Sequence, residues 1–243
     1  MVHQPGEMSH GRRDASSWGE VTTHQPRALP WLLPAASAVA ASALIGALVT
    51  ALASSLAGVA AAVLGVVAVL AWVATQPRLV LIRAGARPLR EGEHPRLVNV
   101  VGGVAADLGL KEPSIRVIEE GEPNALASYV GAPVVGISTS FLDALTRTEL
   151  EAVVAQTLLR TEPSIVRSYA VEAALGPLAG SFRRPVGPDD DLRTCAVTRY
   201  PPALAAALAK ASAGAVPRAA FWLVGRDERH ASPEERIAAL LDL

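Results

Sequence analysis

Residues 28–77 read ALPWLLPAASAVAASALIGALVTALASSLAGVAAAVLGVVAVLAWVATQP, and none of these fifty side chains is charged. A single helix of that length would measure about 75 Å, more than twice the roughly 30 Å thickness of the hydrocarbon core of a bilayer. The serine pair at 54–55 interrupts the apolar run near its middle. The stretch therefore predicts a transmembrane hairpin over residues 31–76, with spans at about 31–53 and 57–75.

The residues that flank this stretch predict its orientation. Trp31 and Trp72 stand at the two outer ends of the hairpin, and indole rings favour the headgroup region of a bilayer. Arginines flank the hairpin on both outer sides, whereas the connecting loop has none: Arg12, Arg13, Arg27, Arg78, Arg83, Arg87 and Arg90. By the positive-inside rule, we expect a protein of the cell membrane whose N-terminus and C-terminal domain are both cytoplasmic.

Small residues dominate both predicted spans. The first contains Ala35, Ala36, Ser37, Ala40, Ala41, Ser42 and Gly46, and the second contains Gly58, Ala60, Ala61, Ala62 and Gly65. Small side chains let helix backbones approach closely in lipid, where packing rather than hydrophobicity drives association. The two spans are therefore expected to pack together, and the same faces also allow an oligomer.

Charge and composition narrow the possible partners. The formal net charge is −1, so the chain lacks the excess of Lys and Arg that nucleic-acid binders carry, and we expect no nucleic-acid partner. Cys195 is the only cysteine, which excludes an intrachain disulfide and a cysteine-rich zinc module. Residues 1–30 are polar and lack an apolar period, which predicts a disordered cytoplasmic tail.

After the hairpin, the pattern of apolar residues predicts a soluble domain over residues 77–243. A helical period runs over 95–108. Residues 115–118 and 134–137 are short, β-branched runs that predict strands, and a further apolar run lies between them at 125–130. We therefore expect an α+β fold that is mainly helical, with a small β-sheet at the edge of the helices.

Two capping boxes mark helix starts in this domain. Thr148 followed by Glu151 matches the pattern, because the hydroxyl can accept from the third amide of the helix while the carboxylate returns to the cap amide. Ser232 and Glu235 match it again and predict a terminal helix. An alanine-rich run predicts another helix at 202–212.

Several segments of the chain match one family in order and spacing. They are HPRL (94–97), EPNALA (122–127), TELEAVVA (148–155), TRYPPAL (198–204), FWL (221–223) and PEERI (233–237), with His230 between the last two. Together with the two-helix anchor, this arrangement resembles the HtpX-like membrane zinc metallopeptidases of the HExxH gluzincin type. The resemblance covers roughly residues 30–243 and implies a zincin-like, metallopeptidase-type domain.

In that family the helix that opens with the TELEAVVA segment carries HExxH, in which two histidines bind zinc and the glutamate activates water. Here Gln156 replaces the first histidine, Thr157 the glutamate and Arg160 the second histidine. The third ligand of the family is a glutamate four residues before an aspartate, which corresponds here to Gly187 before Asp191. The resemblance therefore implies a degenerate member without catalytic residues or metal ligands at these positions, and we expect no cofactor.

The degenerate positions allow two interpretations. They can line a retained cleft, formed by Asn124, Gln156, Arg160 and Asp191, that binds a protein partner or a peptide segment. They can also be the polar face that a surface helix requires. An ion pair between Arg160 and the nearby carboxylates is more plausible than a zinc site in either case, because the guanidinium is always charged.

Three other groups suggest chemistry but favour structural roles. The acidic run at 189–191 is expected to be a solvated loop rather than a cation site, because adjacent carboxylates do not by themselves converge on one ion. His94 and His230 have no partner at ligand spacing. Residues 138–140 are expected to cap a helix at 141–146 rather than to supply a nucleophile.

The leading hypothesis is a membrane-anchored, catalytically inactive homologue of these metallopeptidases that acts as a binding or regulatory module. The alternative is a divergent membrane-bound metalloendopeptidase that holds zinc through non-standard ligands, of which Asp189, Asp190 and His230 are the best candidates. A third hypothesis is a structural membrane protein that organises others through its hairpin.

Overall fold

The computed structural model describes residues 40, 42–44, 46–47, 55–119, 121–176, 179, 186–212, 218–226 and 230–243. The predicted tail at 1–30 and most of the first predicted span lie outside these residues, so both stay predictions. In chain order the elements are α1 (Ser55–Arg83), β1 (Arg87–Pro88), α2 (Pro95–Asp107), β2 (Ser114–Ile118), β3 (Ala125–Tyr129), β4 (Pro133–Ser138), α3 (Thr139–Ala144), α4 (Arg147–Leu159), α5 (Pro163–Leu175), α6 (Pro188–Thr198), α7 (Pro201–Lys210), a 3₁₀ turn (Ala219–Phe221) and α8 (Pro233–Leu241).

Helix α1 corresponds to the second predicted span but continues past its expected end at residue 75. Among the described residues, it is the one helix long and apolar enough to cross a membrane, over Ala57–Arg83. Apolar side chains along it, such as Val59, Leu64 and Val67, are exposed to the surroundings. This exposure differs from that of a core helix in a soluble protein and fits a lipid environment.

The described part of the first predicted span is helical and touches α1 through small residues. A Cβ atom added to Gly46 would lie 2.7 Å from the Cβ of Ala62 and 3.0 Å from the carbonyl oxygen of Gly58. One added to Gly65 would lie 3.2 Å from the hydroxyl oxygen of Ser42. Larger side chains would push these backbones apart, so the contact depends on residue size.

The C-terminal half of α1 is built into the domain. Val80 and Leu81 are buried in an apolar cluster together with side chains of α5. The indole nitrogen of Trp72 donates to the carbonyl of Ala174 at 3.3 Å. The hydroxyl of Ser128 donates to the carbonyl of Pro77 at 2.9 Å. The helix therefore runs without a break across the predicted boundary between hairpin and domain.

The four strands form one small mixed sheet in the order β1-β2-β4-β3. Strands β2 and β4 are parallel, with Ile115 opposite Val135, whereas β1 pairs with β2 and β3 with β4 in antiparallel fashion. The strands predicted at 115–118 and 134–137 are confirmed, and the apolar run between them forms β3. Strand β4 is completely buried, as its apolar sequence requires.

Helix α4 lies at the centre of the main core. Helices α2, α6 and α7 pack against it, and Leu150, Val154 and Leu158 are buried in the resulting cluster. Because the C-terminal half of α4 is enclosed, its polar side chains Gln156 and Thr157 are buried as well. The candidate site at the end of α4 is therefore an interior site.

Helix α4 begins two residues earlier than its capping signal predicted. The capping box is formed by Thr146 and Glu149, not by Thr148 and Glu151. Both pairs fit the same sequence pattern, but Glu149 also accepts a hydrogen bond from the ammonium group of Lys210 at 2.6 Å. That contact with the end of α7 favours the earlier start.

Two other predicted caps are confirmed. Ser232 and Glu235 form a capping box at the start of α8. The hydroxyl of Ser138 accepts a hydrogen bond from the amide of Phe141 at 3.3 Å and caps α3, which begins at Thr139, two residues before the predicted start at 141. Each cap satisfies amides that a helix start would otherwise leave without an acceptor.

Replacing Glu149 with glutamine tests the Lys210 contact and leaves an oxygen for the cap. Burial by itself would raise the pKa of Glu149, but the hydrogen bonds from Lys210 and Thr146 outweigh it and hold the pKa below its ordinary value. At pH 7 we expect the variant to lose about 1 kcal/mol or less of unfolding free energy, because Lys210 is partly exposed.

The pH dependence of this loss follows from the lowered pKa. The Glu149 contribution is complete above the ordinary value of 4.5 and decreases as the pH falls through the folded-state pKa. The difference between the two proteins should therefore shrink between pH 5 and pH 3 when urea unfolding is followed by circular dichroism in detergent. A difference that does not change over this range would contradict the prediction.

Candidate functional site

The last turns of α4 place all three degenerate motif positions inside the protein. Gln156 is 0% exposed, and Thr157 and Arg160 are each 2% exposed. They therefore do not form the polar face of a surface helix, the second interpretation of the sequence. Burial of polar and charged groups is costly unless each finds a partner, so their partners define the site.

Gln156 lies at one end of a buried polar chain. Its side-chain amide donates to the carboxylate of Asp191 in α6 at 2.5 Å. The same carboxylate receives two hydrogen bonds from Arg236 in α8, from Nε at 2.8 Å and from Nη2 at 2.7 Å. Arg236 also donates to the carbonyl of Leu223 at 2.7 Å. These contacts tie three helices together through one fully buried ion pair.

Arg160 is held by the chain on three sides. Its Nε donates to the hydroxyl of Tyr169 at 3.0 Å, Nη1 to the carbonyl of Trp222 at 2.9 Å and Nη2 to the carbonyl of Ala220 at 2.7 Å. The carboxylate of Asp190 lies 4.0 Å from Nε. Burial would lower the pKa of Arg160, but Tyr169 and Asp190 outweigh it. A permanent cation thus occupies this position.

Thr157 and Gly187, the other two positions aligned by the resemblance, are equally unsuited to the roles that it implies. The hydroxyl of Thr157 donates to the carbonyl of Val153 in its own helix at 2.7 Å, so it is turned to the backbone. Gly187 is the residue before α6. A Cβ atom there would lie 3.0 Å from the Cβ of Ala231, which leaves little space for a glutamate.

Residues 222–224 lie along the start of the outer edge of strand β3. Trp222 pairs with Leu126, and the amide of Leu223 donates to the carbonyl of Ala125 at 2.7 Å. The side chain of Asn124 continues this edge, donating to the carbonyl of Val224 at 2.8 Å. The chain itself therefore occupies the first part of the edge at which an added peptide strand would pair.

Asn124, Gln156, Arg160 and Asp191, the predicted cleft residues, do come together in this region. Gln156 donates directly to Asp191, whereas Asn124 and Arg160 donate to carbonyl groups of residues 220–224, and all four are buried. Two cavities of about 360 and 330 Å³ lie elsewhere, one beside His94 and the other between α2, α4 and α6, and none of the four residues lines either.

The acidic run at 189–191 is not the solvated loop that the sequence predicted. It forms the first turn of α6, where negative charge interacts favourably with the helix dipole. Asp189 is exposed, whereas Asp190 and Asp191 are buried. The loop prediction was wrong because Pro188 occupies the first position of a helix, which proline favours.

The alternative zinc ligands do not converge in the described part of the chain. His230 is buried, pairs through its backbone with Val186 and packs against Gly225. Among the described residues, no group of three or more His, Cys, Asp or Glu side chains is arranged to hold a metal ion. His94 lies at the start of α2, away from the buried polar chain.

Arg236 and Tyr169 are the residues that sequence reasoning missed. A weak signal existed for Arg236, because it stands four residues before Leu240, and residues four apart share one face of a helix. Leu240 is buried, and so is Arg236. An arginine on the core side of a helix indicates a buried acidic partner.

Comparison with known proteins gives a consistent set of relatives, although no family model matches the chain. A protein named Protease HtpX homolog from Acidiphilium cryptum is 30% identical over 172 residues, which is 70% of this chain and 47% of that protein. Proteins of the same name from Dictyoglomus turgidum and Bacteroides fragilis are 32% and 31% identical over 40% and 41% of this chain, and each match covers 33% of the relative. The chain thus spans less than half the length of these relatives, and the matches support its relationship to the HtpX-like protease family.

Proposed function

We propose that this chain is a membrane-anchored, catalytically inactive relative of the HtpX-like zinc metallopeptidases and acts as a binding or regulatory module. The observation that carries the proposal is the state of Arg160. Its guanidinium occupies the position of a zinc-binding histidine and donates three hydrogen bonds to Tyr169, Ala220 and Trp222. A fixed cation repels Zn²⁺ and has no lone pair to offer it.

The surroundings of Arg160 support the same proposal. Gln156 and Asp191 are already engaged with each other and with Arg236, so a metal would have to displace a buried ion pair. Residues 222–224 pair with the start of the β3 edge, which shortens the surface that is left for peptide binding in extended form.

The membrane part of the proposal is a two-span hairpin with both ends in the cytoplasm. Helix α1 can span a bilayer, and the close approach of Gly46 and Ala62 supports a second helix packed against it. The contact between Gly46 and Ala62 lies within one chain. The arginines on both outer sides of the hairpin support the cytoplasmic orientation.

The proposal is tested by metal content and hydrolysis with the full chain purified in detergent. We expect far less than one zinc per chain by atomic absorption, and no hydrolysis of unfolded casein with added zinc, cobalt or manganese. The Acidiphilium cryptum relative, purified in the same way, is the positive control for the assay. Stoichiometric zinc that a chelator removes, together with casein hydrolysis that is lost on Asp190→Ala or His230→Ala, would overturn the proposal in favour of a divergent metalloendopeptidase.

A further inference from the structure

Helices α1 and α5 run antiparallel, which fixes the depth of α5 relative to the predicted membrane surface. Near one end, Trp72 of α1 donates to the carbonyl of Ala174 in α5. Towards the other end, Val80 of α1 lies in one apolar cluster with Ile165 and Val166 of α5. Since tryptophan favours the headgroup layer, the C-terminal end of α5 lies at the depth of that layer.

Two exposed arginines stand at nearly the same depth on these helices. Arg78 follows Trp72 by six residues, a rise of about 9 Å along α1. Arg167 precedes Ala174 by seven residues, a rise of about 10 Å along α5. Both are exposed, and helix α1 contains no acidic residue. Arg167 belongs to the domain, far from the hairpin in sequence.

Arg218 adds a third guanidinium at this level. Its Nε donates to the side-chain oxygen of Gln76 in α1 at 2.6 Å. Its backbone is left-handed, with φ at 55°, a conformation that non-glycine residues keep only where the surroundings enforce it. Arg83 follows Gln76 by seven residues, almost two helical turns, and so lies on the same face of α1 as the partner of Arg218. Burial and the positive charge of Arg83 lower the pKa of Arg218. The fold thus gathers like charges that repel one another unless an anion lies between them.

We propose that Arg78, Arg83, Arg167 and Arg218 form a basic collar that binds the anionic headgroups of the membrane and holds the domain against the bilayer. Arginines near the surface attract acidic lipids, and each guanidinium can donate two hydrogen bonds to a phosphate. Arg167 and Arg218 lie outside α1 and far from it in sequence, so the collar exists only in the folded protein. The proposal rests on the membrane anchor proposed above, but it is independent of the loss of catalysis.

The test measures lipid affinity with the full chain in a neutral detergent. Dioctanoyl phosphatidylglycerol, dioctanoyl phosphatidylcholine and glycerol 3-phosphate are titrated separately and followed by microscale thermophoresis. We expect phosphatidylglycerol to bind at least tenfold more tightly than phosphatidylcholine. The double variant Arg78→Gln/Arg167→Gln should weaken phosphatidylglycerol binding by about 25-fold, since each surface arginine contributes roughly fivefold.

Matched controls separate the collar from a general charge effect. Arg147→Gln/Arg199→Gln removes the same charge from exposed sites that belong neither to α1 nor to α5, and it should bind like the wild type. Arg78→Lys/Arg167→Lys keeps the charge and should retain most of the affinity. Equal binding of the two lipids would overturn the collar, and so would an unchanged affinity of the Arg78→Gln/Arg167→Gln variant. Tight binding of glycerol 3-phosphate would show a site for small anions instead. A chain that stays soluble without detergent and binds neither lipid would instead refute the anchor itself.

Discussion

Replacing Arg236 with alanine is expected to lower the free energy of unfolding by about 3–5 kcal/mol. The substitution removes both hydrogen bonds to Asp191, which is 2% exposed, and leaves its carboxylate as an unpaired buried charge. It also leaves the carbonyl of Leu223 without its donor. Urea unfolding in detergent, followed by circular dichroism, measures the loss.

The Arg236 prediction has two controls. Arg147→Ala removes an exposed arginine and should change the unfolding free energy by about 0.5 kcal/mol or less. The double variant Asp191→Leu/Arg236→Met removes the pair together and should recover much of the loss, because no uncompensated charge remains. A loss below about 1 kcal/mol for Arg236→Ala would show that the buried pair does not hold α8 to the core.

Restoring the zinc motif by Gln156→His/Thr157→Glu/Arg160→His is expected to destabilise the protein by at least about 3 kcal/mol without creating a metal centre. The carbonyls of Ala220 and Trp222 lose the guanidinium that they share. Position 157 is 2% exposed, so a glutamate there buries a carboxylate with no partner prepared for it. Thermal unfolding and zinc content of the purified variant measure both parts of the prediction.

The control for this variant places the same residue types at exposed positions of the same helix. Arg147→His/Thr148→Glu should leave the unfolding free energy nearly unchanged, because both sites face solvent. A triple variant that is as stable as the wild type, binds one zinc and hydrolyses casein would show that the interior retains a latent catalytic site. That result would contradict the structural role assigned to Arg160.

Local signals in the sequence predicted most of the elements correctly. The strands at 115–118 and 134–137 and the cap at Ser232 depend on neighbouring residues, so a short window contains the information. The start of α4 was misplaced because two threonine and glutamate pairs compete there. The Lys210 contact favours one of them, and it comes from a helix about 60 residues later in the chain.

The candidate site was predicted only in part. The family resemblance located Gln156, Arg160 and Asp191 as neighbours, and the structure brings them together. Their partners stayed hidden because Arg236 is 45 residues from Asp191 and Trp222 is 62 residues from Arg160. Pairing over such distances is decided by the packing of helices, not by local preference.

By itself, the sequence determined the charge-free stretch at 28–77 and the absence of an HExxH motif, because both depend only on which residues are present. The tertiary structure decided where α1 ends and which groups the side chains at positions 156, 157 and 160 contact. Helix α1 continues to residue 83 because Val80 and Leu81 are buried with side chains of α5. Arg160 has a structural role because the helices around α4 exclude water from it. A buried guanidinium must then donate its hydrogen bonds to groups of its own chain.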